Sequence, residues 1–396
     1  MSVDSARADV SELFDADLIP VIRRLGERRR GDSGLTDTEG AGTRLAVWQG
    51  LAGVGVMDLA LPSLGGGLRA IAPVAELMGT ALYQSPFFDT VMAADLIAAA
   101  GLDPEGELAG RVADGSATIA VAAREQAADD LLQPAALEIA SGDRVLVSGD
   151  RRFVAFAADV DYLLAVGLAA GQAGPALIAV VVPADQPGVT LRRHDDLGRG
   201  DLYHVRLDQA ACVPAGPDGR GWPGPGTDLP GLWRQVLARA QLRLACYLAG
   251  LSHGAIDLTA GYARERQVFG QPLAKFQAPA FRLAALAARL EAVRALAHRA
   301  CEDGDEGDDI ALGACQALLL AGDLAADASA EAIQLHGSYG LTEDCDAQLF
   351  YRRALVDALL LGTRRQLRRQ AAGLAAVRSG PAGRGRGRGE AADASS

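Results

Sequence analysis

The chain has 396 residues, a formal charge of −12, and 49% hydrophobic and 22% charged residues. That length exceeds one compact core and predicts two or three domains of a soluble globular protein. The acidic balance argues against a nucleic-acid surface. The five cysteines, at 212, 246, 301, 315 and 345, form no CxxC pair, so neither a metal site nor a disulfide framework is expected.

The N-terminus, Met1-Ser-Val-Asp-Ser-Ala-Arg7, has early acids and no apolar core. It does not read as a secretory signal, and a cytoplasmic location is expected. Up to about Gly115 the chain reads as helical. Apolar residues recur at helical spacing from Ser11 to Ile22, from Ala70 to Gln84 and from Phe87 to Ala100, with a glycine loop at Leu61–Leu68.

From Ala117 to about Pro214 the pattern becomes that of short strands at Thr118–Val121, Arg144–Val147, Tyr162–Val166, Leu177–Val182 and Tyr203–Leu207. The uncharged run Leu163–Val182 imitates a membrane span, which needs about 20 unbroken apolar residues. Gly171-Gln-Ala-Gly-Pro175 interrupts it, so it reads as a hairpin of buried strands, and no membrane is expected. Pro214–Gly226 reads as a Pro/Gly linker. Helices resume from Leu232 to Arg378, with Leu283, Leu286, Leu290, Val293 and Leu296 as a core-facing stripe and a second long helix at Ile310–His336. The Arg-Gly tail after Ser379 reads as solvated.

The expected organisation is therefore α+β. Residues 1–116 form an N-terminal helical domain, 117–227 a small β-barrel or sandwich, 228–378 a C-terminal four-helix bundle, and 379–396 a disordered tail.

Two glycine-broken stretches carry the chemistry. One is Tyr262-Ala-Arg-Glu-Arg-Gln-Val-Phe-Gly-Gln-Pro-Leu-Ala-Lys-Phe-Gln277. The other runs from Ile333-Gln-Leu-His-Gly-Ser-Tyr-Gly-Leu-Thr-Glu343 to Leu361-Gly-Thr363. With Leu51–Gly67 and Asp196–Pro214, they make the chain resemble the acyl-CoA dehydrogenase family over nearly its whole length, to about Arg378. The resemblance implies FAD as cofactor and an acyl-CoA or acyl-carrier thioester as substrate. It also implies an electron-transfer-flavoprotein-like acceptor and FAD lying between subunits. Arg266, Phe269 and Gln277 match residues that grip the adenosine and pyrophosphate end, where a guanidinium forks onto phosphate oxygens. Gln334, Gly337 and Ser338 match a phosphate-approaching turn that usually has two adjacent glycines. Thr363 matches a residue near the adenine side, and Phe153 one that stacks beside the isoalloxazine. Taken alone, Arg266 reads as a surface arginine, Phe153 as a β-domain core residue, and His336 as a histidine stabilised by a helix C-terminus.

The family's reaction takes an α-proton onto a carboxylate in a dry site while the β-hydrogen leaves as hydride. That base usually stands where this chain has Leu361. In some members it stands where this chain has Ala240, on the first bundle helix, and neither residue can take a proton. The N-terminal half of the flavin site is also altered: in Ala123-Arg-Glu-Gln-Ala-Ala-Asp-Asp130 only Glu125 fits the family pattern. One half-site is kept and the other is not.

The chain is therefore expected to be the base-lacking, FAD-completing subunit of a heteromeric acyl-CoA dehydrogenase. Two alternatives stay open. One is a homo-oligomeric dehydrogenase with a relocated base, for which Glu265 and Glu343 are candidates. The other is a non-redox scaffold or thioester-binding descendant of the fold.

Overall fold

The computed structural model describes residues 48–62, 65–103, 105–125, 130–141, 144–170, 175–194, 201–214 and 227–379, with residues 8, 11 and 12. The expected helix at Ser11–Ile22 lies almost wholly outside these residues. The expected turn at 171–174, the linker at 215–226 and the tail from 380 lie outside them too.

The N-terminal region is helical, with α1 (Val56–Ala60), α2 (Leu68–Thr80), α3 (Phe87–Ala99) and α4 (Glu107–Ala113). Seven strands follow among the described residues: β1 (Ile119–Ala122), β2 (Glu138–Ser141), β3 (Val145–Ala155), β4 (Tyr162–Ala169), β5 (Ala176–Pro183), β6 (Val189–Arg193) and β7 (Leu202–Ala211). They form two sheets, β1-β4-β5 and β2-β3-β7-β6, with β1 parallel to β4 and the remaining pairs in these sheets antiparallel.

The membrane-like run Leu163–Val182 is the antiparallel pair β4–β5, in register from Tyr162↔Pro183 to Ala169↔Ala176. Its lack of charge has a packing cause. Leu164, Val166, Ala179 and Val181 face the helical core, whereas Leu163, Ala165, Val180 and Val182 face the core between the sheets. A strand covered on both sides loses the polar alternation of a half-exposed one.

The C-terminal region opens with α5 (Leu229–Glu265), whose N-cap Asp228 accepts a hydrogen bond from Gly231 N at 3.0 Å. A two-residue hairpin, β8 (Gln267–Val268) and β9 (Gln271–Pro272), leads into α6 (Gln277–Asp305). Then come α7 (Ala311–His336), α8 (Ala347–Asp357) and α9 (Arg364–Ser379). Helix α7 is long and apolar enough to cross a membrane by length and composition, and half of that stretch is buried inside the molecule.

Helices α2 and α5 cross with backbones in contact. A methyl on Gly79 would overlap the Tyr247 carbonyl, and one on Gly250 the Glu76 carbonyl. Thr80 Oγ1 donates to Gly250 O at 3.1 Å across the same crossing. Glu76 then ties α2 to α6, accepting from Arg294 Nε at 3.0 Å and His298 Nε2 at 2.9 Å. Helix α3 is fixed to β1 through Thr90, whose hydroxyl donates to Ile119 O and accepts from Ile119 N. These ties bring α3, the β domain and the first turns of α5 around one chamber.

Candidate functional site

A chamber of about 90 Å3 lies between α3, the β domain, α5 and the turn joining α8 to α9. Both positions at which a base was expected line it: Ala240 from α5, and Leu361 from the α8–α9 turn. The only acid in its lining among the described residues is Asp89, from the first turn of α3. Asp89 Oδ2 accepts from Val121 N at 3.3 Å. Glu265 and Glu343 are exposed and do not line it.

The turn carrying Leu361 is held through its backbone. Arg124, 9% exposed, reaches from the β domain and donates from Nη1 to Leu359 O (3.0 Å) and from Nη2 to Leu360 O (2.7 Å). Gln241 Nε2 donates to Leu361 O at 3.2 Å. These carbonyls follow the C-terminus of α8, where helical acceptors run out of partners.

Phe153 lines the chamber from a bulge in β3, where the pairing with β7 slips between Arg151 and Val154. Its φ of 58° is rare for an aromatic residue. The ring stacks on His194, with centroids 4.9 Å apart and planes 10° apart. One face expected to lie open for a flavin is therefore covered by a residue the sequence did not single out.

The chamber has a basic floor. Arg243, 1% exposed, lies 2.8 Å from Asp95 and donates from Nη2 to Ala60 O. Arg239 approaches the same carboxylate at 3.5 Å. Burial and the adjacent Arg243 charge lower the Arg239 pKa below its ordinary value.

The remaining expected residues gather at the far end of the bundle. Tyr262 of the first motif stacks on His336 of the second at 4.2 Å, and Arg282 pairs with Glu331 at 3.2 Å. This joins the end of α5, the start of α6 and the end of α7. Arg266, Phe269, Gln277, Gln334, Gly337 and Ser338 are all exposed there. Arg266 pairs with no acid among the described residues, and its backbone closes the hairpin through Leu273 N (2.8 Å). Phe269 and Gly270 both have positive φ, 50° and 81°, as a type I′ turn demands. Gly337 ends α7 at φ 65°, ψ −143°, a conformation open essentially to glycine alone, with free space where a Cβ would stand. Ser338 begins the following short helix, Gly337–Leu341, so only the first position of this turn demands glycine. His336 Nδ1 donates to Ala332 O at 2.7 Å, which occupies that nitrogen.

Thr363 belongs to neither group. It caps α9 reciprocally with Gln366, by Thr363 N to Gln366 Oε1 (2.8 Å) and Gln366 N to Thr363 Oγ1 (3.3 Å). It opens onto a cleft of about 490 Å3 shared with Arg365 and Arg369.

The two groups are far apart. Ala240 and Arg266 are separated by 26 positions of one helix and its cap, which at 1.5 Å per residue is about 39 Å. That is further than one FAD can reach. The far group suits a dinucleotide phosphate, offering a guanidinium with no acid partner among the described residues and a glycine turn with room for close approach. The chamber does not suit an isoalloxazine with a thioester, since small-ligand pockets run to about 300–1,000 Å3.

Residues 232–373 match the family described as acyl-CoA dehydrogenase, C-terminal domain. Among curated proteins, the chain is similar to 3-sulfinopropanoyl-CoA desulfinase of Paraburkholderia xenovorans, 32% identical over 49% of this chain and 50% of that protein. The chain spans about half the length of the curated relatives it matches. Among solved structures, a Tcur3481–Tcur3483 steroid ACAD variant aligns with TM-score 0.80 and 24% identity over 95% of this chain and 98% of that one. The ChsE4–ChsE5 complex from Mycobacterium tuberculosis aligns with TM-score 0.77 and 23% identity over 94% and 97%. Residues 232–373 thus match the acyl-CoA dehydrogenase C-terminal domain by sequence, and the chain has the acyl-CoA dehydrogenase fold along its length.

Proposed function

We propose that this chain serves an FAD-dependent acyl-CoA dehydrogenase complex as its non-catalytic subunit. It lends the exposed group around Arg266, Gln334 and Gly337 to a flavin whose reacting ring lies over a catalytic paralogue. The observation that carries this reading is the pairing of the 39 Å separation with Leu361 and Ala240 in one small chamber. Among the described residues the phosphate grip has no ring site of its own within reach, and the ring site within the chain has no base at either usual place. Two of the structural neighbours carry paired names, one of them a steroid ACAD and the other a complex. A steroid-like thioester as the complex's substrate and an electron-transfer-flavoprotein-like acceptor belong to the same proposal.

A second reading has one observation in its favour, the presence of Asp89 in the chamber lining. A homo-oligomeric enzyme would use it as a relocated base. Asp89 already accepts from Val121 N and shares the wall with three arginines, which suits a counter-ion better than a base.

The test is flavin stoichiometry. The chain is purified alone and with a co-expressed paralogous dehydrogenase, and bound flavin is measured by absorbance after denaturation. The expected result is no flavin on the isolated chain and one FAD per pair of chains in the complex. One flavin per isolated chain, with acyl-CoA turnover lost in Asp89→Asn, would establish the second reading instead.

A further inference from the structure

The group at the far end of the bundle is assembled from two helices: Arg266 caps α5 and Gly337 caps α7. Both are exposed, so their separation is set by what lies beneath them. One residue reaches both. The Tyr262 carbonyl accepts from Arg266 N at 2.8 Å. The Tyr262 ring stacks on His336, the residue before Gly337, with centroids 4.2 Å and planes 24° apart. The same ring lies 6.4 Å from that of Tyr339, just beyond the Gly337 turn. The Tyr262 hydroxyl has no hydrogen-bond partner among the described residues, so the ring makes the link.

The other side of the stack is itself fixed. His336 is 5% exposed, and its Nδ1 donation to Ala332 O sets the rotation of the ring. Gly340 packs so closely that a methyl there would stand 2.9 Å from His336 Cβ. The Tyr339 hydroxyl donates to Asp344 O at 3.1 Å. The ion pair of Arg282 and Glu331 joins α6 to α7 without touching the Arg266 cap, and an exposed pair of that kind contributes little. We propose that Tyr262 is the positioning residue of the dinucleotide grip. Through its carbonyl and its ring it holds Arg266 and the Gly337 turn at the separation that lets both meet one pyrophosphate. Binding groups work when packed neighbours hold them to within about 0.5 Å, and Tyr262 acts in that way rather than by touching the ligand. The proposal rests on the subunit reading, in which this group grips a partner's flavin.

FAD is titrated into the flavin-stripped complex of this chain with its paralogue, and binding is read from flavin fluorescence. Thermal unfolding of each variant checks its folding. Tyr262→Leu keeps apolar bulk and removes the stack, and it is expected to weaken FAD binding by about ten-fold. Tyr262→Phe keeps the ring and is expected to restore the natural affinity, as is His336→Phe on the other side of the stack. In an Arg266→Gln background, Tyr262→Leu is expected to cost less than about two-fold more, because a residue that acts through Arg266 loses its effect with it. A merely structural role would add its full loss in that background. If Tyr262→Leu does not fold, His336→Leu breaks the same stack from the opposite side and carries the same expectation. Unchanged affinity in the folded leucine variant, an equal loss in Tyr262→Phe, or fully additive losses with Arg266→Gln would overturn the proposal. Any of these, with one FAD per pair of chains in the natural complex, would leave the subunit reading intact. A natural complex that takes up no FAD would overturn both.

Discussion

Replacing Asp95 with asparagine tests the electrostatic arrangement beneath the chamber. The Asp95 side chain is 4% exposed and stands 2.8 Å from Arg243 and 3.5 Å from Arg239. Asparagine keeps the shape and removes the charge, leaving the buried Arg243 guanidinium beside the part-buried one of Arg239. Removing one partner of a buried ion pair costs about 3–5 kcal/mol, mostly for the charge left uncompensated. With a urea slope of about 3 kcal/mol per molar, the unfolding midpoint should fall by about 1–1.7 M. Trp233, which donates to Leu131 O at 2.6 Å beside the chamber, reports the transition by fluorescence. A control follows from the same physics. Asp95→Ala combined with Arg243→Met removes acid and base together, so it should recover part of the loss. A midpoint shift below about 0.3 M for Asp95→Asn, or a double variant less stable than that single one, would refute the reasoning.

Three further outcomes are expected. Burial pushes the Glu76 pKa up, but hydrogen bonds and charge from His298 and Arg294 outweigh it and hold the carboxyl below its usual 4.5. Glu76 therefore contributes stability that is fully present above pH 4.5 and is lost as the pH falls below it. Glu76→Gln should flatten the acid limb of a stability-against-pH curve measured by urea unfolding. Phe269 is 95% exposed and left-handed at φ 50°, a local cost of about 1–2 kcal/mol. Phe269→Asn should raise the midpoint slightly and, on the proposed subunit role of this hairpin, should shift the chain toward smaller species in analytical ultracentrifugation. All five cysteines are free and buried, and burial pushes the Cys212 and Cys315 thiols up to about 12. A thiol reagent at pH 8 should therefore modify none of the five until denaturant is added.

Much of this was legible because it follows local rules. The breaks at Gly171 and Pro175 marked the β4–β5 hairpin, and the spacing of Leu286, Leu290 and Val293 marked α6. Short strands with mixed polarity were not legible: Glu138–Ser141 and Val189–Arg193 carry little apolar alternation and pair only through β3 and β7. The buried charges were hidden for another reason. Arg151 is fully buried and donates to the carbonyls of Ala135, Ala136, Asp150 and Val166, yet in sequence it stands among polar residues like any surface arginine. Asp89 and Asp95 lie on α3, whose outer faces are covered by the β domain and α5, a tertiary fact with no local signature. The bulge at Phe153 carries no glycine or proline to announce it. The two motifs at the far end were readable because each needs a glycine, at 270 and 337, where the chain takes a positive φ.

The turn at residues 359–361 has a consequence for how this chain can change. Its carbonyl oxygens are held in order by Arg124 Nη1, Arg124 Nη2 and Gln241 Nε2. A loop fixed through its main chain keeps its path whatever side chains it bears. The identity of residue 361 is thereby uncoupled from the shape of the fold, so an acid there can be lost, or an apolar residue drift, without the surrounding architecture registering the exchange. The reverse step is not so free: with the guanidinium of Arg124 and the ring pair of Phe153 and His194 already seated at the chamber, a glutamate at 361 alone would restore a charge and not a pocket.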